Sequence, residues 1–259
     1  METAFETQTY DTLLSAEQEG RYGLACNCLF QTSTMSALID GVYDGRLTVG
    51  ELLEQGDFGL GTFNALDGEM IIDRRKAYRL SADGDASAVK PNRQTPFACV
   101  TRFVPDAQHT LDTRLDKPSF EGVVDGIVRN PNLLLAVRIE GTFERVFTRT
   151  VSCQSRPYRP MLEAVAAQAT RKLENVRGVM LGFRTPEFMH GLNVGGWHLH
   201  FMTEDRTQGG HVIDYVVTQG QLEYALISDV EIHLPRTPDF ARADLSSEHV
   251  ASAIRRAES

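Results

Sequence analysis

Short apolar runs separated by turn dipeptides dominate the chain from residue 57 onward. Residues 58–66 and 69–80 form two such runs on either side of Asp67-Gly68, and Asp83-Gly84 follows the second run. Asp-Gly dipeptides suit the tight turns of β-hairpins, because both residue types tolerate the positive φ angles that these turns need. The pattern therefore predicts a fold with much antiparallel sheet.

The rest of the chain combines further strands with short helices. The runs 133–139 and 143–151 flank Gly141 and predict a hairpin that turns at this glycine. Thr48 and Glu51 have the spacing of a capping box and predict a helix that ends at Gly56. Other strands are predicted at residues 97–104, 179–183, 197–202, 212–217, 222–227 and 230–234. Other helices are predicted at residues 35–40, 118–128, 160–173 and 247–256.

These elements place the chain in the mixed α+β class. We expect an amino-terminal mixed β-sheet with helices, followed by a carboxyl-terminal β-rich part that carries a metal site. The 259 residues are enough to bury a core without disulfides or other staples. Residues 1–30 are expected to be a poorly ordered lead-in, residues 31–175 the mixed-sheet α/β part and residues 176–259 the β-rich part, all within one functional unit.

The charge balance limits the classes of partner. Lysine and arginine number 26 and aspartate and glutamate 35, which gives a net charge of -9. This acidic balance argues against binding to nucleic acid or to anionic lipid. No run approaches the ~20 apolar residues that cross a bilayer, and residues 1–10 lack the basic and apolar regions of a signal peptide. We therefore expect a cytoplasmic protein.

The cysteines do not suggest a disulfide framework. There are four of them, and their spacing is irregular for a chain of this length. Cys26 and Cys28 also lack the spacing of a CxxC zinc knuckle. We expect free thiols.

Histidines cluster in the carboxyl-terminal part. His198 and His200 are separated by one residue, and on a strand their side chains would point to the same face. Trp197, Leu199 and Phe201 would then point to the opposite face and pack. The sequence therefore predicts a strand with one apolar face and one face that presents two imidazoles.

A third histidine follows after a turn. Residues 203–210 suit a reversal of the chain that sets His211 opposite His200, with Cβ atoms ~5 Å apart. Three imidazoles can then converge on one ion, and a three-histidine zinc site leaves a fourth position for water or substrate, which is the arrangement of catalytic sites. The sequence thus predicts a catalytic metal site at His198, His200 and His211.

Two other interpretations use the same residues. His198, His200 and Glu204 have the spacing of the first cupin motif, which would indicate a metal-dependent oxygenase or isomerase. The second cupin motif is absent, and Glu204 lies beside Asp205 and Arg206 in a loop, so His211 is the preferred third ligand. The histidines could instead be polar residues on the solvent side of a hairpin.

Six segments closely resemble the α-acetolactate decarboxylase family and occur in that family's order. They are QTSTMSAL (31–38), GDFGLGTFN (56–64), LDGE (66–69), TRTV (148–151), GFRTP (182–186) and GWHLHF (196–201). The resemblance implies a homodimeric, zinc-dependent carboxy-lyase that converts 2-acetolactate to acetoin, usually the (R) enantiomer, and CO2 in the branch leading to 2,3-butanediol. It also implies that the zinc ligands are His198, His200 and His211.

The implied chemistry agrees with the residues. 2-Acetolactate carries a ketone and a hydroxyl oxygen that can chelate one metal ion, so that a Lewis acid could accept the electron pair left by CO2. Signatures of nucleotide cofactors are missing, and no organic cofactor is expected.

Further site residues follow from the resemblance. It implies that Arg149 attracts the substrate carboxylate and that Glu69 and Glu258 handle a proton, assisted by Thr62. A guanidinium is a poor acid, so proton delivery suits the carboxyl groups better than Arg149. A non-catalytic module that binds metal or a small molecule is the remaining alternative.

Overall fold

The computed structural model describes residues 27–165, 168–245 and 248–258. Its strands are β1 (Asn27–Thr32), β2 (Leu47–Thr48), β3 (Phe58–Thr62), β4 (Glu69–Asp73), β5 (Lys76–Leu80), β6 (Ala86–Ala88), β7 (Gln94–Thr95), β8 (Ala98–Thr101), β9 (Ala107–Leu111), β10 (Leu115–Asp116), β11 (Leu134–Thr150), β12 (Ala169–Thr185), β13 (Gly196–Thr203) and β14 (Gly209–His233). Its helices are α1 (Met35–Ile39), α2 (Val49–Gln55), α3 (Lys117–Val128), α4 (Met161–Val165), α5 (Pro238–Arg242) and α6 (Glu248–Glu258), with 3₁₀ turns at Asn64–Leu66 and Glu187–Met189.

Within the described residues, twelve of these strands form one sheet. Its order is β11-β12-β13-β14-β1-β8-β3-β4-β5-β6, and β9 and β10 add to β14. Because β11 pairs with β14 as well as with β12, the strands β11, β12, β13 and β14 form a closed ring of paired strands. β1 lies parallel to β14. The pairs β1–β8, β8–β3 and β3–β4 are antiparallel. The predicted α+β class with much antiparallel sheet is confirmed.

Side-chain caps begin three of the predicted helices. Thr34 caps α1 through its side chain, and Thr48 and Glu51 form the predicted capping box of α2. Asp116 accepts a hydrogen bond from the backbone of Ser119 at the start of α3. These short-range contacts depend on the local sequence alone.

Gly141 is not a turn residue, and that prediction is wrong. β11 runs without interruption through it, and Gly141 lies opposite Gly178 of β12 and Gly220 of β14. A Cβ atom at Gly141 would collide with the carbonyl oxygen of Gln219 and with Cα of Gly220. The glycine therefore permits the close approach of three strands. The strands predicted at residues 212–217, 222–227 and 230–234 are likewise one continuous strand, β14, of 25 residues.

The predicted helix over residues 160–173 is only partly formed. α4 ends at Val165, residues 166–167 lie outside the described part, and β12 begins at Ala169. Thr170 pairs there with Arg149 of β11. The gain from strand pairing outweighs the helix propensity of this alanine-rich segment.

The predicted strand over residues 69–80 is two strands. Arg74 and Arg75 form the turn between β4 and β5, with φ angles of 50° and 64°. Two consecutive positive φ angles fit the tight turn of a two-residue hairpin. Arginine is an uncommon residue in such a turn, which explains why the sequence pattern does not reveal it.

The end of the predicted lead-in overlaps the first strand. Residues 27–30 belong to β1, and residues 1–26 lie outside the described part. The predicted division at residue 175 falls inside β12 and stays a prediction. The predicted terminal helix corresponds to α6, and its expected cap, Ser247, lies outside the described part.

Two apolar clusters cover opposite faces of the long strands. One contains residues of α1, α4 and α6, among them Met35, Met161 and Ile254. The other contains residues of α3, among them Phe120 and Val124. None of the helices in the described ranges has the length and apolar character that a membrane span requires.

Candidate metal centre

β13 separates its side chains as the alternation predicts. Leu199 and Phe201 belong to the apolar cluster beneath α3, whereas Met202 belongs to the cluster that includes α1, α4 and α6. His198 and His200 alternate with Leu199 and Phe201 and therefore share the face of Met202. The strand thus delivers two imidazoles to the side covered by three helices.

The turn after β13 brings in the third histidine. His200 of β13 lies directly opposite His211 of β14. The ring centroids of His198, His200 and His211 are 5.1 to 5.5 Å apart. Each ring offers a nitrogen within 4.8 Å of those of the other two. The predicted convergence of these three side chains is confirmed.

The histidines are buried, which disagrees with the alternative that they are polar residues on the solvent side of a hairpin. His200 is 0% exposed, His211 4% and His198 6%. Burial is the largest cause that lowers the pKa of His198 to about 3 and the pKa values of His200 and His211 well below their usual range, and the positive charge of Arg149 acts in the same direction. All three rings are therefore neutral near pH 7, the form that binds metal ions.

One ring nitrogen of His200 is suited to binding a metal ion. Its Nδ1 lies 2.7 Å from the carbonyl oxygen of Met70, so Nδ1–H donates and Nε2 keeps its lone pair. Nε2 is buried and has no hydrogen-bond partner among the described residues. A buried acceptor of this kind costs roughly 1–3 kcal/mol, and a metal ion would satisfy it. The three neutral imidazoles therefore fit a divalent transition metal.

Arg149 adds a permanent charge beside these rings. It is the cross-strand partner of His211, and its Nη2 lies 3.0 Å from His211 Nε2. Its Nη1 donates to Gln168 Oε1 at 3.5 Å. Arg149 is 5% exposed, so little water screens its charge within the pocket.

Glu69 and Thr62 reach the centre from the other part of the sheet. Glu69 begins β4 and lies opposite Thr62 of β3. Its Oε2 is 3.6 Å from His200 Nε2. Thr62 donates through Oγ1 to the carbonyl oxygen of Gly68 at 2.9 Å, which ties β3 to the turn before Glu69.

One pocket unites these groups. It has a volume of about 480 Å³, which includes space open to solvent, and Thr62, Glu69, Arg149, His198 and His211 line its polar side. Its remaining lining is mainly apolar: Met35, Leu38, Gly61, Leu66, Phe97, Val151, Met161, Val165 and Ala257. The sequence analysis did not identify this apolar wall, because its residues come from separate strands and helices and no local motif joins them.

Glu258 is the last residue of α6, and its side chain lies outside the described part of the structure. The preceding residue, Ala257, lines the pocket. α6 therefore ends at the pocket, and any role of the Glu258 carboxylate stays a prediction.

Glu204 does not reach the histidines. It is exposed, and its Oε1 pairs with Arg177 Nε at 3.4 Å. The group of potential metal ligands that converges within the described ranges consists of His198, His200 and His211. This geometry agrees with His211 as the third ligand and disagrees with the cupin-type set.

The remaining described histidines have ordinary contacts. His109 stacks on Tyr224, His233 pairs with Glu231, and His190 accepts a hydrogen bond from the backbone of Gly195. The side chain of His249 lies outside the described part. Among the cysteines of the described ranges, Cys28, Cys99 and Cys153 are free, as expected; Cys26 lies outside these ranges.

Known proteins resemble the chain over most of its length. A family model described as alpha-acetolactate decarboxylase matches residues 29–247. Proteins named alpha-acetolactate decarboxylase from Klebsiella aerogenes and Bacillus subtilis are 44% and 42% identical over 230 residues, which cover 89% of this chain and 88% and 90% of those proteins.

Solved structures give the same result. The crystal structure of alpha-acetolactate decarboxylase from Bacillus subtilis strain 168 superposes with a TM-score of 0.87 at 42% identity, covering 89% of this chain and 99% of that one. A second crystal structure is of a Staphylococcus aureus protein described as of unknown function and similar to alpha-acetolactate decarboxylase. It superposes with a TM-score of 0.86 at 32% identity and covers 90% of this chain and 100% of that one.

Proposed function

The chain belongs to the α-acetolactate decarboxylase family, and from that premise we propose that it converts 2-acetolactate to (R)-acetoin and CO2 with a bound zinc ion. As a family member the chain is a carboxy-lyase. The reaction would serve the formation of acetoin and 2,3-butanediol.

The observation that supports this proposal most directly is the shared pocket of neutral imidazoles, one cation and one carboxylate. His198, His200 and His211 would hold the metal ion through their neutral rings. When bound, a divalent ion supplies Lewis acidity that stabilises the negative charge developing on substrate oxygen as CO2 leaves. The orphaned Nε2 of His200 supports this assignment of the ligands.

Arg149 would bind the substrate carboxylate. Arg149 is buried in the pocket wall, and its guanidinium carries a positive charge. A fork of N–H donors matches a carboxylate in shape and charge. Because guanidinium is a poor acid, Arg149 orients the substrate and does not supply the final proton.

Glu69 is the described residue best placed to move a proton. Its carboxylate lies on the pocket wall near His200, and it can take the hydroxyl proton of the substrate and return a proton to the carbon that loses CO2. Thr62 would assist by holding the turn before Glu69. The family resemblance assigns Glu258 a similar part.

The apolar wall would keep water away from the reacting atoms. Leu38, Phe97 and Met161 line the pocket together with the polar groups and would suit the methyl groups of the substrate. Exclusion of water strengthens the electrostatic interactions with Arg149 and with a bound ion.

We further propose a cytoplasmic homodimer, an expectation that rests on composition and on the family resemblance. Sedimentation velocity of the purified protein would give the oligomeric state. A single species with the mass of one chain would contradict the dimer.

The function is tested with purified protein under anaerobic conditions. We expect release of CO2 and formation of acetoin from 2-acetolactate, loss of both after chelation, and recovery on addition of Zn²⁺. Elemental analysis identifies the metal, and chiral chromatography identifies the acetoin enantiomer. Turnover that requires oxygen would support an oxygenase instead. Binding of 2-acetolactate without turnover would support a non-catalytic binding module.

A further inference from the structure

The turn that precedes Glu69 has an unfavourable backbone. Ala65 and Leu66 adopt φ angles of 62° and 53°, and Gly68 follows with a φ of 89°. Positive φ angles are unfavourable for residues with a Cβ atom, because the Cβ atom crowds the neighbouring carbonyl oxygen. Such a turn persists only where surrounding contacts hold it.

Asp67, in the middle of this turn, is held by two arginines. Arg79 Nη2 donates to Asp67 Oδ1, and Arg93 Nη2 donates to Asp67 Oδ2. Arg79 Nε donates in addition to the main-chain oxygen of Asp67 at 2.7 Å. Both carboxylate oxygens and the carbonyl of one residue are therefore fixed by charged donors, which form the stronger class of hydrogen bond.

The two arginines are themselves anchored. Arg79 lies on β5 directly opposite Met70 of β4. The guanidinium of Arg93 lies over the ring of the buried Phe63, 5.0 Å from its centroid. The cluster thus links the turn to β5 and to the loop before β7. We call Arg79, Asp67 and Arg93 the arginine clamp.

Several groups of the metal centre depend on this turn. Leu66 lines the pocket, and the carbonyl oxygen of Gly68 accepts the hydrogen bond from Thr62. Glu69 places its carboxylate 3.6 Å from His200 Nε2, and Met70 fixes the same ring through its carbonyl oxygen. A displacement of the turn would therefore move the carboxylate and the orientation of His200 together.

Gly68 shows how little freedom the turn has. A Cβ atom at this position would clash with the carbonyl oxygen of Leu80 and would approach the side chain of Arg79. The turn packs directly against β5, so the position of Arg79 and the path of the chain into Glu69 are coupled.

We propose that Arg79 and Arg93 are positioning residues of the metal centre, which act through Asp67 to hold the strained turn so that Glu69 and the carbonyl oxygen of Met70 face His200. The proposal rests on the proposed function in that Glu69 and a metal ion take part in the reaction. Neither arginine belongs to the pocket lining.

The test compares Arg79→Met and Arg79→Lys with Arg114→Met as a matched control. Arg114 forms a two-pronged ion pair with Glu144 that is exposed and lies outside the pocket lining. Competition with a chromophoric chelator gives the dissociation constant for Zn²⁺, and steady-state kinetics with 2-acetolactate gives kcat and KM. Outer contacts of this kind typically change metal affinity or activity ~10–100-fold.

We expect Arg79→Met to weaken Zn²⁺ binding about 10-fold and to lower kcat about 10-fold or more, with KM changed less than about 3-fold. Arg79→Lys should fall between the wild type and Arg79→Met, because lysine keeps the charge but cannot bind the carboxylate and the carbonyl as a fork. The control should match the wild type. Values for Arg79→Met within about 2-fold of the control would overturn the proposal.

A double variant separates positioning from general destabilisation. If Arg79 acts through Glu69, then Arg79→Met combined with Glu69→Gln should have a kcat within about 3-fold of Glu69→Gln alone. Losses that multiply would show that Arg79 does not act through Glu69. Should Arg79→Met fail to fold, Arg93→Lys takes its place with the same readouts.

The two proposals fail in different ways. A wild-type protein that forms no acetoin would refute the proposed function, while Zn²⁺ affinity would still test the clamp. Normal turnover in the wild type with unchanged Zn²⁺ affinity and kcat in Arg79→Met would refute the clamp alone.

Discussion

Arg149 and His211 lie opposite each other on β11 and β14, with Arg149 Nη2 3.0 Å from His211 Nε2. A guanidinium can only donate, so Nε2 is the nitrogen of His211 that carries the ring's lone pair, and a bound metal ion would take that lone pair in place of the N–H of Arg149. The register of one strand pair thus places a neutral imidazole that could hold a metal ion beside a positive charge. This is the combination that an anionic substrate of a Lewis-acid enzyme requires.

The first prediction concerns this cation. In the proposed function, Arg149→Met would remove the charged hydrogen bonding to the substrate carboxylate; a loss equivalent to one such bond, roughly 1.5–3 kcal/mol, would lower kcat/KM about 10- to 150-fold. Arg149→Lys should lose less, because the charge remains. Steady-state kinetics measures the effect, and a kcat/KM close to that of the wild type would contradict a role in substrate binding.

The second prediction concerns the metal ligands. His198→Ala should lower bound metal to less than about one tenth and abolish turnover, because two imidazoles bind a divalent ion far more weakly than three. The exposed His233, which pairs with Glu231, offers the control His233→Ala. Metal is measured by elemental analysis and folding by circular dichroism. A metal-replete His198→Ala protein would rule out this ligand set.

The third prediction tests the strained turn. Ala65→Gly relieves a positive φ angle but gives the unfolded chain more freedom, and these effects oppose each other. We expect the free energy of unfolding to be unchanged or to rise by up to about 1 kcal/mol. Ala136 lies buried in the extended strand β11. Ala136→Gly should therefore lower the free energy of unfolding by about 1 kcal/mol. Urea denaturation compares the two, and a clear loss for Ala65→Gly would argue against the turn as described.

The fourth prediction concerns pH. Burial raises the pKa of Asp67, but hydrogen bonds from Arg93 and Arg79 outweigh it and hold the pKa below the usual value. The unfolded chain then binds more protons than the folded one near pH 3–4, so the stabilisation is present above about pH 4 and is lost as the pH falls below it.

Urea denaturation of metal-free wild type and Asp67→Asn measures this effect. The difference in free energy of unfolding should be about 1 kcal/mol at pH 6 and should shrink as the pH falls through 4 towards 3. A difference that is the same at both ends of this range would show that the charge of Asp67 does not stabilise the turn.

Sequence patterns were reliable where the physical cause was local. The spacing of His198 and His200 requires only the alternation of a strand, and the turn that follows requires only a few polar and glycine residues before His211. The capping box of Thr48 and Glu51 is satisfied within one helical turn.

Patterns misled where distant strands decide the conformation. Gly141 resembles a turn residue, yet it is flanked by Gly178 and Gly220 in a sheet whose strands approach closely at that point. Residues 169–173 have helical character, yet β11 offers them hydrogen-bond partners along its whole length. Local propensity is weak, and such pairings override it.

The sequence by itself determined the histidine set, the antiparallel character of the sheet and the family resemblance that points to Glu69 and Arg149. Only the tertiary structure decided that the imidazoles are buried and neutral, that Arg149 faces His211, and that the arginine clamp holds the turn into Glu69. The reason is that burial and charge depend on elements far apart in the chain, which meet only when the sheet closes and the helices cover it.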